Sequence, residues 1–447
     1  MKQNYLMTVR VLLVFITTLA LAACTVGPNY KKPVVPVPDR FYGAAGAATE
    51  ASLADAKWFE VFGDPVLKSL IEEALRDGYD ARIAVTRVEE ARARYGIAGA
   101  ARFPDVDYQL RAGYGRANGD TGGAITANVA AGWEIDLWGR IRRLNEAARA
   151  QYLASEEGER AVRLALVSEV AAAYFDLREL DEELRIARHT TETFQGTFDL
   201  FDRRLKGGTA SAVETSRAGA LLANARAQIP LLESDIIATE NDLNVLLGRV
   251  PGPIERGAAL AEQPLPPSVP AGLPAALLLR RPDVRAAEQD LIAANATIGV
   301  AEAAFYPTVS LSALIADGPA WRVEAGLLGP IFNAGRLRNQ RRVAVAQFQR
   351  ALVQYEQSVN GALADVSTTM VALDKLGAAE AERTNAVRAN EEAVRLVYMR
   401  YESGLSAYFE VLDAMQQLFL AENAQARTRR DRLVALVRFY RALGGGF

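Results

Sequence analysis

The chain has 447 residues, half of them apolar, with a formal charge of −3, a single histidine and a single cysteine. One histidine, His189, and one thiol, Cys24, exclude a His/Cys metal cluster, a histidine-based catalytic triad and a disulfide framework, and the mild acidity argues against a nucleic-acid partner. The length admits two or three ordinary domains around a large apolar core.

The chain opens like a secretory leader. Lys2 and Arg10 precede an apolar run, Val11–Ala23, which is too short to span a bilayer as a helix and ends Leu21-Ala22-Ala23-Cys24. This has the shape of a bacterial lipoprotein box, in which Cys24 takes the lipid and becomes the first mature residue; the alternative is ordinary cleavage after Ala20-Leu21-Ala22. Removing residues 1–23 takes away two cations and no acid, moving the formal charge from −3 to −5. Thr25 follows where an aspartate would favour inner-membrane retention, which points to the outer membrane. Residues 24–63 then read as a lipidated tether and equatorial segment, with Pro28, Pro33, Pro36 and Pro38 favouring extended chain.

Asp64-Pro65 is a helix start, and the helix it opens runs, with a break at Gly78, to about Ala101. Two strands follow at about 103–137. Val106, Tyr108, Leu110, Ala112 and Tyr114 alternate with Asp107, Gln109 and Arg111, and Ile125, Ala127, Val129, Ala131, Trp133 and Ile135 alternate with polar neighbours. Strands of about 9 to 13 residues suit a tilted membrane strand, with Trp133, Trp138 and Trp321 as a candidate aromatic girdle; a soluble two-faced sheet gives the same alternation. From Gly139 to Lys206 a helical pattern runs without proline, about 67 residues or on the order of 100 Å. Its apolar positions from Leu166 to Leu205 are spaced alternately four and three, the 3.5 period of coiled-coil packing. Gly207-Gly208 ends it, and a second helix, about Ser211–Leu247 with Pro230 inside, returns antiparallel.

After a proline-rich linker, residues 250–274, the pattern restarts. Asp80, Gly96 and Pro104 match Asp283, Gly299 and Pro307 at an offset of 203, and Gly139, Arg204 and Gly208 match Gly335, Arg400 and Gly404 at an offset of 196. The seven-residue difference falls between the strands, where a longer turn is expected in the first copy. The chain is therefore a duplication: residues 64–249, with a helical hairpin at about 139–248, and residues 275–447, with strands at about 306–332 and a hairpin at about 335–443. Four strands per chain cannot close a membrane barrel, since the smallest bacterial barrels have about eight, so transmembrane strands require an oligomer.

No enzyme is legible, and no metal or cofactor site. Glu410 and Asp413 stand three apart after the Gly404 turn and share a helical face; this is either a solvated face or, near a symmetry axis, a cation-attracting and pH-sensitive constriction. Arg140, Arg142 and Arg143, with Arg336, Arg338, Arg341 and Arg342, follow the strand pairs and suit either lipid head groups at a periplasmic rim or solvent.

CTVGPNYKKP, WFEVFGDPVLKSLI, WEIDLWGRIRR, PAGLPAALLLRRPDVRAAE, GPIFNAGRLR, YESGLSAYFEVLDA and the terminal ALGGG resemble the TolC-like outer membrane factors, in particular the lipoprotein branch serving RND-type multidrug efflux pumps. The resemblance covers nearly the whole chain. It implies a mainly α fold with a β-barrel contribution: a homotrimer with a twelve-stranded outer membrane barrel and a periplasmic helical tunnel. It further implies a covalent lipid on Cys24 and no other cofactor, an aperture at Glu410, Asp413, Tyr401 and Glu214, and tips at Gly207, Gly208 and Gly404 that meet an adaptor protein. The function implied is a passive exit duct for drugs or other small toxic compounds; a type I protein secretion outlet and a lipid-anchored coiled-coil scaffold without a pore are the alternatives. Ser406 departs from the pattern, since a family member has an arginine there that ties the inner hairpin to its neighbour.

Overall fold

A computed structural model describes residues 25–44, 51–117, 120–266, 270–316 and 320–445. Cys24 and the leader lie outside the described residues. Nine α-helices and four strands are described: α1 Trp58–Phe62, α2 Pro65–Asp77, α3 Tyr79–Ala100, β1 Asp105–Ala117, β2 Asp120–Ile135, α4 Arg140–Lys206, α5 Ala212–Leu247, α6 Pro274–Arg280, α7 Pro282–Ala303, β3 Thr308–Ile315, β4 Trp321–Leu328, α8 Arg336–Glu402 and α9 Tyr408–Ala442. Both long helices have 67 residues, and Pro230 lies inside α5 without ending it. Among the described residues no helix is long and apolar enough to cross a membrane.

Two compact units divide the chain. The first takes the described parts of Met1–Val35, Thr86–Gly158 and Asp283–Val359. Its centre is an antiparallel sheet in the order β1-β2-β3-β4. The registers Val106↔Ala131, Ala131↔Ala313 and Ala313↔Val323 place Val106, Tyr108, Ala131, Trp133, Leu311, Ala313, Val323 and Ala325 on one continuous apolar face. Among the described residues both outer edges, β1 and β4, are unpaired.

The seven extra residues of the first copy lengthen strands rather than the turn. Ala117 pairs with Asp120 across a two-residue connection, whereas residues 316–320 join β3 to β4. As a result β1 and β2 have 13 and 16 residues, but β3 and β4 only 8 each, short of the expected span. The reason is register: β3 pairs only with Val129–Ile135, and beyond that point β1 and β2 continue as a two-stranded ribbon. Trp138 also departs from the girdle expectation. It lies past the end of β2, stacks on Tyr306 at 4.7 Å and donates from Nε1 to the Pro307 carbonyl at 2.7 Å.

At the helix end of the sheet the extended segment after residue 24 is tied down. Arg143, 3% exposed, donates to the carbonyls of Val26 and Gly27 and to Asn29 Oδ1 at 3.3, 3.1 and 2.8 Å. Asn295 Nδ2 donates to Pro28 O, and Glu288 accepts from Tyr30 and Lys32. Gly27 lies so close to Gly299 that a Cβ would meet the Gly299 Cα at 2.4 Å, and its φ of +90° suits glycine alone. Arg143 thus fits neither the lipid nor the solvent expectation.

The second unit, the described parts of Pro36–Val85, Glu159–Pro282 and Asn360–Phe447, is helical. Along α4 the predicted stripe is buried or half-buried through Phe201, and Leu205 is exposed. Asp64 caps α2 and gathers the proline-rich linker: its carboxylate accepts from Val66 N, Leu67 N, Tyr174 Oη, Ala258 N and Gln263 Nε2. With Ile254, Leu260 and Gln263 buried, the linker is packed chain rather than a loose spacer. Burial opposes ionisation of Asp64, but these hydrogen bonds, Gln263 first, outweigh it and hold its pKa below the usual carboxylate value.

Candidate functional site: the helical tips

The two tips end by the same device. In the first, Gly208 has φ +74° and Thr209 N returns to Arg204 O at 2.8 Å; in the second, Gly404 has φ +73° and Leu405 N returns to Arg400 O at 2.8 Å. A positive φ just past a helix lets the chain fold back over the last carbonyls. Gly207, Gly208 and Gly404 are all exposed.

Behind the turns the hairpins share an apolar core. Phe201 from α4 joins Tyr408, Val411 and Leu412 from α9, with Ala210, Leu221, Val397, Tyr401 and Met415 around them. Tyr408 lies 4.2 Å from the Phe201 ring and 4.7 Å from the Tyr401 ring, and its hydroxyl donates to Thr197 Oγ1 at 3.0 Å. Burial raises the Tyr408 pKa, so the phenol stays neutral. Arg204 donates to the Tyr401 hydroxyl, and the Arg217 guanidinium sits 4.9 Å from the Phe409 ring. Sequence reasoning missed these two arginines, although Arg204 repeats at Arg400 and was visible as part of the duplication.

The acid positions divide. Ser211 and Glu214 form a capping box at the start of α5: Glu214 Oε2 accepts from Ser211 N at 2.8 Å, and Ser211 Oγ accepts from Glu214 N at 3.3 Å. Glu410 occupies the same helical position in α9, but Ala407 stands where Ser211 does and offers no side-chain cap. Glu410 and Asp413 are exposed and have no side-chain partner among the described residues. Among the described residues Ser406 Oγ donates only to Val397 O, at 3.5 Å, and a serine can form no ionic tie at that position.

Farther along the bundle lies a belt of ion pairs. Arg430 meets Glu179 at 3.1 Å and Arg427 meets Glu183 at 2.7 Å, joining α9 to α4; Arg429 and Arg432 both meet Glu380 on α8. Glu179 and Glu183 are buried. Burial raises the Glu179 pKa against the opposing charge of Arg430. Clefts of about 490 and 400 Å³ open beside the belt. Among the described residues no group of three or more His, Cys, Asp or Glu side chains is placed to hold a metal ion.

The chain thus combines a sheet with a continuous apolar face, two strand pairs each leading into a 67-residue helix, and tips built from charge and packing. The class they define is the TolC-like outer membrane channel. The chain belongs to the outer membrane efflux protein family, whose model matches residues 70–249 and 273–445. It is 34% identical over 455 residues to the solvent efflux pump outer membrane protein SrpC of Pseudomonas putida, covering 96% of this chain and 97% of that one. It is 31% identical over 460 residues to the cation efflux system protein CusC of Escherichia coli K12, covering 97% and 99%. Among solved structures, CusC aligns with a TM-score of 0.85 at 30% identity, over 95% of this chain and 100% of that chain. The open state of the Neisseria gonorrhoeae MtrE channel aligns with a TM-score of 0.85 at 31% identity, over 95% and 98%. This chain is an outer membrane efflux channel component.

Proposed function

We propose that the protein works as a homotrimer whose four strands per chain close a twelve-stranded barrel, and that it is a passive exit duct for drugs or other small toxic compounds. The observation that carries this reading is the sheet with an apolar face and unpaired β1 and β4 edges. In hydrocarbon every backbone N–H and C=O on those edges needs a partner, and other copies of the same chain supply them. The duct catalyses nothing, carries no cofactor beyond a covalent lipid on Cys24, and takes its energy from an RND-type inner-membrane transporter. A periplasmic adaptor meets it at the turns of Gly207, Gly208 and Gly404.

In the same reading Glu410 and Asp413 line the periplasmic aperture with Tyr401 and Glu214 nearby. Exposed carboxylates without internal partners suit a ring of like charge, which attracts cations and narrows the passage. In planar bilayers the intact oligomer is expected to form small stable channels, and Glu410→Ala with Asp413→Ala to lower cation selectivity and raise conductance. Unchanged conductance and selectivity would remove the aperture assignment; no channels from a verified intact oligomer would remove the duct.

A further inference from the structure

The two junctions between strand and long helix carry the same arginines in different surroundings. In the first copy Arg140 is held by both oxygens of Glu134 at 2.8 and 2.7 Å, and Arg142 meets Asp136 at 3.2 Å. At the offset of 196, Pro330 stands where Glu134 stands and Phe332 where Asp136 stands. Arg336 and Arg338 have kept their places and lost both counter-charges. Among the described residues Arg336 reaches only Gln340 and Arg342 only Asn339, each at 3.5 Å. Arg338 has no side-chain bond among the described residues, and Arg341 alone finds an acid, Glu302 at 2.8 Å. All four are exposed.

Beside these cations lie Ile331 and Phe332, 103% and 88% exposed. β4 ends at Leu328, at the sheet end where all four helix junctions meet. Its apolar row, Trp321, Val323, Ala325 and Leu327, belongs to the continuous apolar face of the sheet, the face that meets hydrocarbon in a membrane barrel. Following the chain, an apolar row gives way to two exposed apolar side chains and then to guanidinium groups. Acyl chain followed by phosphate is the matching profile. The acids at the same sheet end of the other edge strand, Asp105 and Asp107, alternate with Val106 and Tyr108 and so face away from the apolar row. This favours lipid over a neighbouring copy as the source of negative charge.

We propose that Arg336, Arg338 and Arg342, with Ile331 and Phe332, form a binding site for the head group of an anionic glycerophospholipid at the periplasmic edge of the sheet. The proposal rests on the membrane-barrel reading. It is tested on the full-length oligomer, delipidated in detergent and titrated with phosphatidylglycerol or phosphatidylcholine of equal chain length, with bound lipids counted by native mass spectrometry. Wild type is expected to prefer phosphatidylglycerol by on the order of ten-fold, as two or three cations near a surface allow. Arg336→Gln with Arg338→Gln should abolish the preference at unchanged oligomer mass, and Arg336→Lys with Arg338→Lys should retain most of it. If the double glutamine variant does not assemble, Arg338→Gln alone gives the reading, since that side chain makes no bond whose loss could unfold the chain.

Equal binding of the two lipids by wild type, or an unchanged preference in the glutamine variants, would overturn the site. Inorganic phosphate displacing phosphatidylglycerol at equal concentration would make it a free-anion site. Dissociation into single chains by Arg338→Gln would mean that the arginines bind a second copy. No channel activity from the wild-type oligomer, with its preference for phosphatidylglycerol present, would instead count against the duct reading alone.

Discussion

The two copies of the repeat superimpose in sequence and diverge in what they do with the same positions. At the tips, Glu214 is half of a capping box with Ser211, while Glu410, its counterpart, is exposed behind Ala407, which offers no side-chain cap. At the junctions, Arg140 and Arg142 are neutralised by Glu134 and Asp136, and Arg336 and Arg338 are not. Along the bundle, Glu179 and Glu183 of the first copy's long helix pair with Arg430 and Arg427 of the second copy's returning helix. At the tip and at the junction the first copy binds these charges internally, and the second leaves their counterparts exposed. Duplication supplies the scaffold twice, and loss of a single internal partner frees a charge for another use.

Several substitutions would break or sharpen this contrast. The largest effect is expected at Arg143, which is buried and holds the segment after residue 24 by three hydrogen bonds. Arg143→Gln should cost about 3 kcal/mol in thermal or denaturant unfolding, because the freed carbonyls are left unsatisfied, and should speed tryptic cleavage after Lys31. At the matching position Asn339→Ala should stay within about 0.5 kcal/mol. Equal costs at the two positions would end the claim that the junctions differ.

Ser211→Ala removes the capping box and should cost about 1 kcal/mol, read as faster proteolysis of the first tip. Ala407→Ser builds the missing box in α9 and should gain about 0.5 kcal/mol. It also draws the Glu410 carboxylate back onto the backbone N–H of residue 407, so cation selectivity of the channel should fall without any charge being removed. A stabilised tip with unchanged selectivity would separate Glu410 from the aperture.

The smallest effect concerns pH. Burial raises the folded-state pKa of Glu179 above its unfolded value, so the folded state binds the proton more tightly. Ionised Glu179 therefore costs stability at neutral pH, and that cost disappears as the pH falls through the raised pKa. The wild type should gain a few tenths of a kcal/mol on mild acidification relative to Glu179→Gln, visible as a melting-temperature difference that grows from pH 7 to 5. A difference independent of pH would mean that Arg430 cancels the burial.

Much of this was legible from spacing alone. Asp64-Pro65, the break at Gly78, the glycines at 208 and 404 and the offsets of 203 and 196 mark element ends by local rules of φ, capping and periodicity, and the helices begin and stop where those rules place them. The strand lengths were not legible, because alternation continues past the point where β3 and β4 stop finding partners. The same limit explains the junction arginines: Arg140 and Arg142 look like Arg336 and Arg338 in a string of letters. Only the fold reveals that Glu134 and Asp136 have come to meet the first pair, and that the carbonyls of Val26 and Gly27 meet Arg143.

The sequence by itself determined the duplication, the element order and the class of protein, since each follows from periodicity and motifs carried along the chain. Tertiary structure alone decided which charges are free. Whether a carboxylate or guanidinium is occupied or available depends on groups brought near it from distant sequence, as at Asp64 with Tyr174, Ala258 and Gln263, and at Arg143 with Val26, Gly27 and Asn29.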